Sequence, residues 1–129
     1  IIIGLLAGVI CLFAVSKLKT ALGYDDSLDV FGVHGVGGII GAIITGVFND
    51  PALGGTGIYD YVAGTWGYAG MGTQVMSQLW GVGVTVLWSG VVAFIAYKIV
   101  DLTIGLRVSE EVETEGLDTA EHGERGYNL

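Results

Sequence analysis

His34 lies inside an apolar stretch, Val30 to Phe48, that contains no Asp, Glu, Lys or Arg. An ionisable side chain at membrane depth is costly, by roughly 2.5 kcal/mol or more for a charged form. Neutral imidazole costs less, but it needs a hydrogen-bond partner, and it offers one donor and one acceptor. With an ordinary pKa of about 6.5, histidine also suits proton exchange. Low surrounding polarity favours its neutral form.

The stretch that carries His34 is unusually smooth. Helical spacing places Val30, His34, Gly38 and Gly41 on one stripe. Gly37, Gly41 and Thr45 form a second row, and Gly38, Ala42 and Gly46 a third. Two readings follow from the spacing. In one, the glycines allow close helix packing and His34 bonds a neighbouring helix. In the other, His34 faces a narrow apolar conduit lined partly by Val30, holding a partner group with one ring nitrogen and meeting a solute with the other. Ahead of the stretch stand Asp25, Asp26, Ser27 and Asp29. Acids and hydroxyls there cap a helix and complement its positive end. Asp29 reads either as such a structural group or as one that orients the inner end of a pore.

Composition supports a membrane setting for these residues. Of 129 residues, 52% are hydrophobic and 14% charged, where a soluble domain carries about 25% charged. Twenty-three glycines with one proline fit close-packed membrane helices. The single cysteine, Cys11, rules out a disulfide framework or a cysteine metal site within the chain. No basic cluster points to nucleic acid, and no nucleophile elbow, phosphate loop or zinc spacing points to an enzyme or a cofactor.

The pattern predicts three spans and a tail. Span one covers 1 to about 16, ends at Lys17 and Lys19, and contains the Gly4-x-x-x-Gly8 spacing. Span two covers about 28–48, roughly 31 Å at 1.5 Å per residue. Span three covers about 75–104, longer than a bilayer needs, so it should tilt or protrude. The abrupt start at Ile1, with no basic region before it, reads as a fragment beginning inside a helix. Lys17, Lys19, Lys98 and Arg107 place residues 17–27 and the C-terminus in the cytoplasm. Loop 49–74, which lacks Lys and Arg, then lies outside. Its Asn49-Asp50-Pro51 and Gly54-Gly55 are turn chemistry, and Tyr59, Tyr61, Trp66 and Tyr68 suit the membrane–water boundary. Residues 106–129 hold seven acids against Arg107 and Arg125. His122, in Glu121-His122-Gly123-Glu124, reads as solvated rather than metal-binding.

Two segments of the spans are distinctive, Asp26-Ser-Leu-Asp-Val-Phe-Gly-Val-His-Gly-Val-Gly-Gly38 and Leu87-Trp-Ser-Gly-Val-Val-Ala-Phe94. The tail adds Gly105-Leu-Arg-Val108, Gly116-Leu-Asp118, His122-Gly-Glu124 and Tyr127. In these segments the sequence resembles the ammonium transporter family (Amt, with its Mep and Rh relatives). The resemblance implies an all-α membrane fold of about eleven helices with inverted repeats, assembled as a homotrimer with one pore per subunit. On that reading the chain is the last three transmembrane helices, residues 1–105, with a cytoplasmic regulatory tail, 106–129.

His34 matches the second of the family's paired pore histidines, Asp29 the aspartate at the start of that helix, and Val30 a pore-lining position. The first histidine, the outer recruitment site and the phenylalanine gate belong to earlier helices. The implied mechanism is recruitment of ammonium, loss of its proton, and passage of ammonia between paired imidazoles. The tail, through Arg107, Gly116, Asp118, His122 and Tyr127, is implied to pack under the pores, speak to neighbouring subunits and receive a PII-type signalling protein. Ala120 stands at the position of a threonine that is phosphorylated in some plant relatives, so that switch is not carried over. A Rh-type gas channel fits the tail motifs less well. An ammonium sensor signalling through its tail is the alternative from another class. Sensors of this kind usually carry a further signalling domain, and the chain ends at Leu129, which favours transport.

Overall fold

The computed structural model describes residues 1–126. Three helices are long and apolar enough to cross a membrane: α1 (Ile2–Leu22), α2 (Phe31–Phe48) and α3 (Met71–Thr103). Two short strands, β1 (Ile58–Asp60) and β2 (Thr65–Gly67), lie between α2 and α3. Two short helices follow, α4 (Glu110–Glu115) and α5 (Leu117–Ala120). The chain divides into two compact units, Ile1–Val86 and Leu87–Leu129.

The first unit begins with α1, which continues past the lysines expected to end it. Lys17 and Lys19 lie inside the helix, and Gly23 stops it in the left-handed region at φ 64°, donating its N–H to the Lys19 carbonyl at 2.9 Å. The expectation of an end near 16 equated the edge of the apolar run with the end of the helix. Lysine is a good helix former, so charge marks where the hydrocarbon stops and Gly23 marks where the backbone stops. Ser16 and Thr20 fold their hydroxyls back onto the carbonyls of Leu12 and Ser16.

Both α1 and α2 contain a widened, π-helical stretch, at Ala14–Leu18 and at Phe31–Val36. These stretches meet. Gly32 is buried against Val15, where a β-carbon would stand 2.6 Å from Val15 Cγ1 and 3.2 Å from its backbone nitrogen. One wide turn further, a β-carbon on Gly37 would meet Cys11 Sγ at 3.0 Å. At the far end of α2, buried Gly46 lies against the backbone of Val75 in α3. At Gly32 and Gly46 the missing side chain lets backbones touch, and at Gly37 it makes room for the Cys11 sulfur; small residues of this kind are how helices gain contact where lipid supplies no hydrophobic drive.

The loop between α2 and α3 is more ordered than its turn signals imply. Asp50 caps a single 3-10 turn, Pro51–Leu53, by accepting the Ala52 N–H at 2.8 Å. A hairpin then pairs Tyr59 with Trp66. Its turn is built by Asp60, whose Oδ1 accepts from the N–H groups of Val62 and Ala63 at 2.8 and 3.0 Å. The rings of Tyr59, Tyr61 and Trp66 meet edge to face at centroid distances of 5.1 and 5.3 Å. α3 starts at Met71 rather than near 75, and its first-turn residue Gln74 is buried.

In the second unit, Leu87, Trp88, Phe94 and Ile95 stand along α3 with their side chains uncovered by the rest of this segment. Ser109 caps α4, its Oγ accepting the Val112 N–H at 3.4 Å. Gly116, at φ 103°, joins α4 to α5.

Candidate functional site

His34 is exposed and lies in the middle of the π-helical stretch. Wide turns of this kind recur at functional positions in helices. An open groove of about 550 Å³ runs along this side of the first unit. His34, Gly35, Val30 and Phe31 line it from α2 and its lead-in, and Tyr24, Asp25 and Asp26 line it from the connection after α1. Phe31 stands edge to face on Tyr24, with centroids 5.6 Å apart. Its ring also lies over Gly35, where a β-carbon would approach Phe31 Cδ2 to 3.0 Å. The imidazole therefore shares a groove with aliphatic, aromatic and glycine walls and with the two acids Asp25 and Asp26.

The wide turn changes the stripe expected from regular helical spacing. Val30 and His34 share the groove, while Gly38 and Gly41 stand further along with open space where a side chain would be. A turn holding an extra residue shifts the phase of everything after it. Thr45, in the second expected row, donates its hydroxyl to the Gly41 carbonyl at 2.8 Å within its own helix.

The entrance to α2 is held by three residues in distinct roles. Asp26 is the cap: its Oδ1 accepts from Val30 N–H at 2.9 Å and its Oδ2 from Phe31 N–H at 2.8 Å. Asp29 is not a side-chain cap. It sits in the left-handed region at φ 55°, accepts the Val33 N–H on its carbonyl at 2.9 Å, and meets Lys19 Nζ with its Oδ1 at 2.7 Å. Lys19 Nζ also donates to the Asp26 carbonyl. In the sequence Lys19 marks the end of span one and the orientation of the chain, not a contact at this entrance. Its pairing was foreshadowed by a cation and an acid placed on either side of a glycine turn.

The tail residues occupy the second unit. Arg107 meets Glu113 through two parallel contacts, Nε to Oε1 at 2.6 Å and Nη2 to Oε2 at 3.3 Å. That hydrogen bond holds the Glu113 carboxyl below the ordinary carboxylate range. Within its own chain Arg107 thus meets an acid six residues further on. The Gly116 carbonyl accepts from Thr119 and Ala120, and the Asp118 carbonyl accepts from Glu124 at 2.8 Å. His122 lies exposed in the turn after α5. Tyr127 is outside the described residues.

The comparisons with known proteins agree on one family. The family model described as Ammonium Transporter Family matches residues 1–127. The chain belongs to the ammonium transporter family. An ammonium transporter of Aquifex aeolicus is 46% identical over the whole chain, which covers 28% of that protein. An ammonium transporter of Bacillus subtilis is 38% identical over 98% of the chain and 30% of that protein. Ammonium transporter Amt1 of Archaeoglobus fulgidus is 35% identical over 98% of the chain and 30% of that protein. The chain thus spans less than a third of the length of these curated relatives. With three long apolar helices, this family segment is part of a multi-pass membrane protein.

Proposed function

We propose that this segment supplies one wall of a membrane pore that conducts ammonium as ammonia, with His34 as the residue that meets the solute. The observation that carries the proposal is the opening of His34 into a groove shared with Val30 and Phe31, within a chain of this family. Dehydrating a cation in an apolar passage is expensive, whereas a neutral amine passes with a much smaller loss. K+ and Na+ have no proton to give up, so the same cost excludes them. Ammonium can lose its proton, cross as ammonia and regain a proton on the other side. A neutral imidazole suits that passage because it offers both an acceptor and a donor.

The rest of the reading follows the family. The first pore histidine and the outer recruitment site lie in helices outside this segment, and three copies of the complete protein assemble with one pore each. Residues 1–105 form the membrane part in the cell membrane. Residues 106–129 form a cytoplasmic tail, in which Arg107, Gly116, Asp118, His122 and Tyr127 serve regulation by a PII-type protein. The positive-inside distribution of Lys17, Lys19, Lys98 and Arg107 supports this orientation.

The test is uptake into vesicles containing the full-length protein. His34→Ala is expected to abolish ammonium flux or to destroy its selectivity over K+. Wild-type flux with wild-type selectivity in that variant would overturn the assignment of His34.

A further inference from the structure

We propose that Lys19 is a positioning residue for His34: it ties the end of α1 to the entrance of α2 and so fixes how the imidazole is presented to the groove. The proposal rests on the reading of His34 as the residue that meets the solute.

The geometry runs through a continuous set of contacts. Lys19 is half-buried, and its ammonium group reaches across the Gly23 turn to two acceptors. One is the Asp26 carbonyl, and the other is Asp29 Oδ1 at 2.7 Å. Each acceptor belongs to a residue that holds α2. Asp26 binds the first free N–H groups of the helix, those of Val30 and Phe31, with both carboxylate oxygens. Asp29 accepts the Val33 N–H on its main-chain carbonyl while its side chain is held by Lys19. Val33 immediately precedes His34, and both lie in the wide turn. Asp29 also carries the one non-glycine residue with positive φ among the described residues. Left-handed backbone of this kind persists when its surroundings hold it: the Asp29 N–H donates to the Asp26 carbonyl at 3.2 Å, and Lys19 holds both that carbonyl and the Asp29 side chain.

A purely structural ion pair between neighbouring helices would need none of this convergence. Here a single cation binds the two residues whose other groups set the first turn of the histidine-bearing helix. A wide turn is less regular than an α-helical one, so its winding depends on what anchors its start. Removing the cation leaves the Asp26 cap in place but frees the side chain of Asp29, the residue whose carbonyl accepts the Val33 N–H one residue before His34.

The experiment compares Lys19→Gln, Lys19→Arg and Asp29→Asn in the full-length protein. It reads ammonium uptake together with the imidazole nitrogen resonances of His34, assigned by their loss in His34→Ala. Asp29→Asn keeps a residue type that tolerates left-handed backbone but removes the charge. Lys19→Gln and Asp29→Asn are expected to shift the His34 resonances and to cut uptake by roughly tenfold, as small misplacements of a working group do. Their combination should cost no more than either alone, and Lys19→Arg should restore most of the uptake and the resonance position.

The proposal is overturned if Lys19→Gln and Asp29→Asn leave the His34 resonances unmoved, whatever the uptake. It is equally overturned if they move the resonances while uptake stays at the wild-type rate. Should Lys19→Gln fail to accumulate, Asp29→Asn and Lys19→Arg carry the same comparison. A His34→Ala variant that transports normally sinks the reading of His34 instead, and the resonance shifts then still report whether Lys19 positions the ring.

Discussion

Gly32 presses on Val15: a β-carbon at Gly32 would stand 2.6 Å from Val15 Cγ1 and 3.2 Å from its backbone nitrogen. Two helices meet here at their widened turns, with the Val15 backbone directly behind its side chain. Gly32→Ala is expected to destabilise the protein by about 1–3 kcal/mol, the usual cost of overpacking. Gly38→Ala meets nothing within 4 Å in this segment and should cost clearly less. Thermal unfolding of the two variants in detergent would check the ranking, and equal midpoints would contradict it.

Asp26→Ala removes the acceptor of both the Val30 and Phe31 N–H groups. The expected loss is about 1 kcal/mol, as for other caps. Asp26→Asn keeps one oxygen acceptor and should recover part of it. Amide hydrogen exchange at Val30 and Phe31 is the direct measurement, and unchanged protection in Asp26→Ala would refute the capping role.

Asp29 tests backbone and charge separately. Asp29→Ala puts an ordinary residue at φ 55°, a conformation that costs about 1–2 kcal/mol, and it loses the Lys19 contact too. Asp29→Gly relieves the backbone and Asp29→Asn tolerates it, so both should unfold at higher temperature than Asp29→Ala. If all three melt together, the left-handed backbone is not a constraint.

In the tail, the Arg107 contact holds the Glu113 carboxyl below its ordinary value. A depressed carboxylate stabilises the folded form above its unfolded pKa, and that contribution disappears as pH falls through the folded one. The order of α4 should therefore weaken on acidification below the usual carboxylate range, and Glu113→Gln should remove the pH dependence. Hydrogen exchange at the Val112 and Gly116 amides across an acid titration would show it.

The hairpin offers an independent titration. The Ala63 and Val62 N–H groups hold the Asp60 carboxyl low, so protonation in acid should loosen the turn between β1 and β2. Asp60→Asn keeps a neutral acceptor and should flatten the response. Trp66 fluorescence against pH is a convenient probe, since Tyr59 packs on its ring.

Much of the architecture was legible because apolar length and the absence of breakers say where a helix can cross a membrane. Three spans were expected and three are present. The ends were less legible. Lys17 and Lys19 looked like a terminus because charge leaves the hydrocarbon there, yet Gly23 is what stops the helix. The hairpin was hidden because its strands, Ile58–Asp60 and Thr65–Gly67, are too short for alternation to register. At the candidate site, the types of His34, Val30 and the nearby acids were informative. Their division of labour was not, because Asp26 and Asp29 differ only in backbone conformation and in which groups come within reach. Periodicity assumes regular winding, so the stripe through Gly38 and Gly41 could not anticipate the wide turn at Phe31–Val36.

That wide turn makes residue count a constraint in its own right. Each residue of regular helix advances the chain by about 100°, so adding or deleting one between Val30 and His34 swings the ring by roughly a quarter of the circumference. Substitutions in this stretch exchange one side chain for another. An insertion or deletion instead turns the histidine away from the groove while leaving every residue type in place, and homologous chains should therefore align here without gaps.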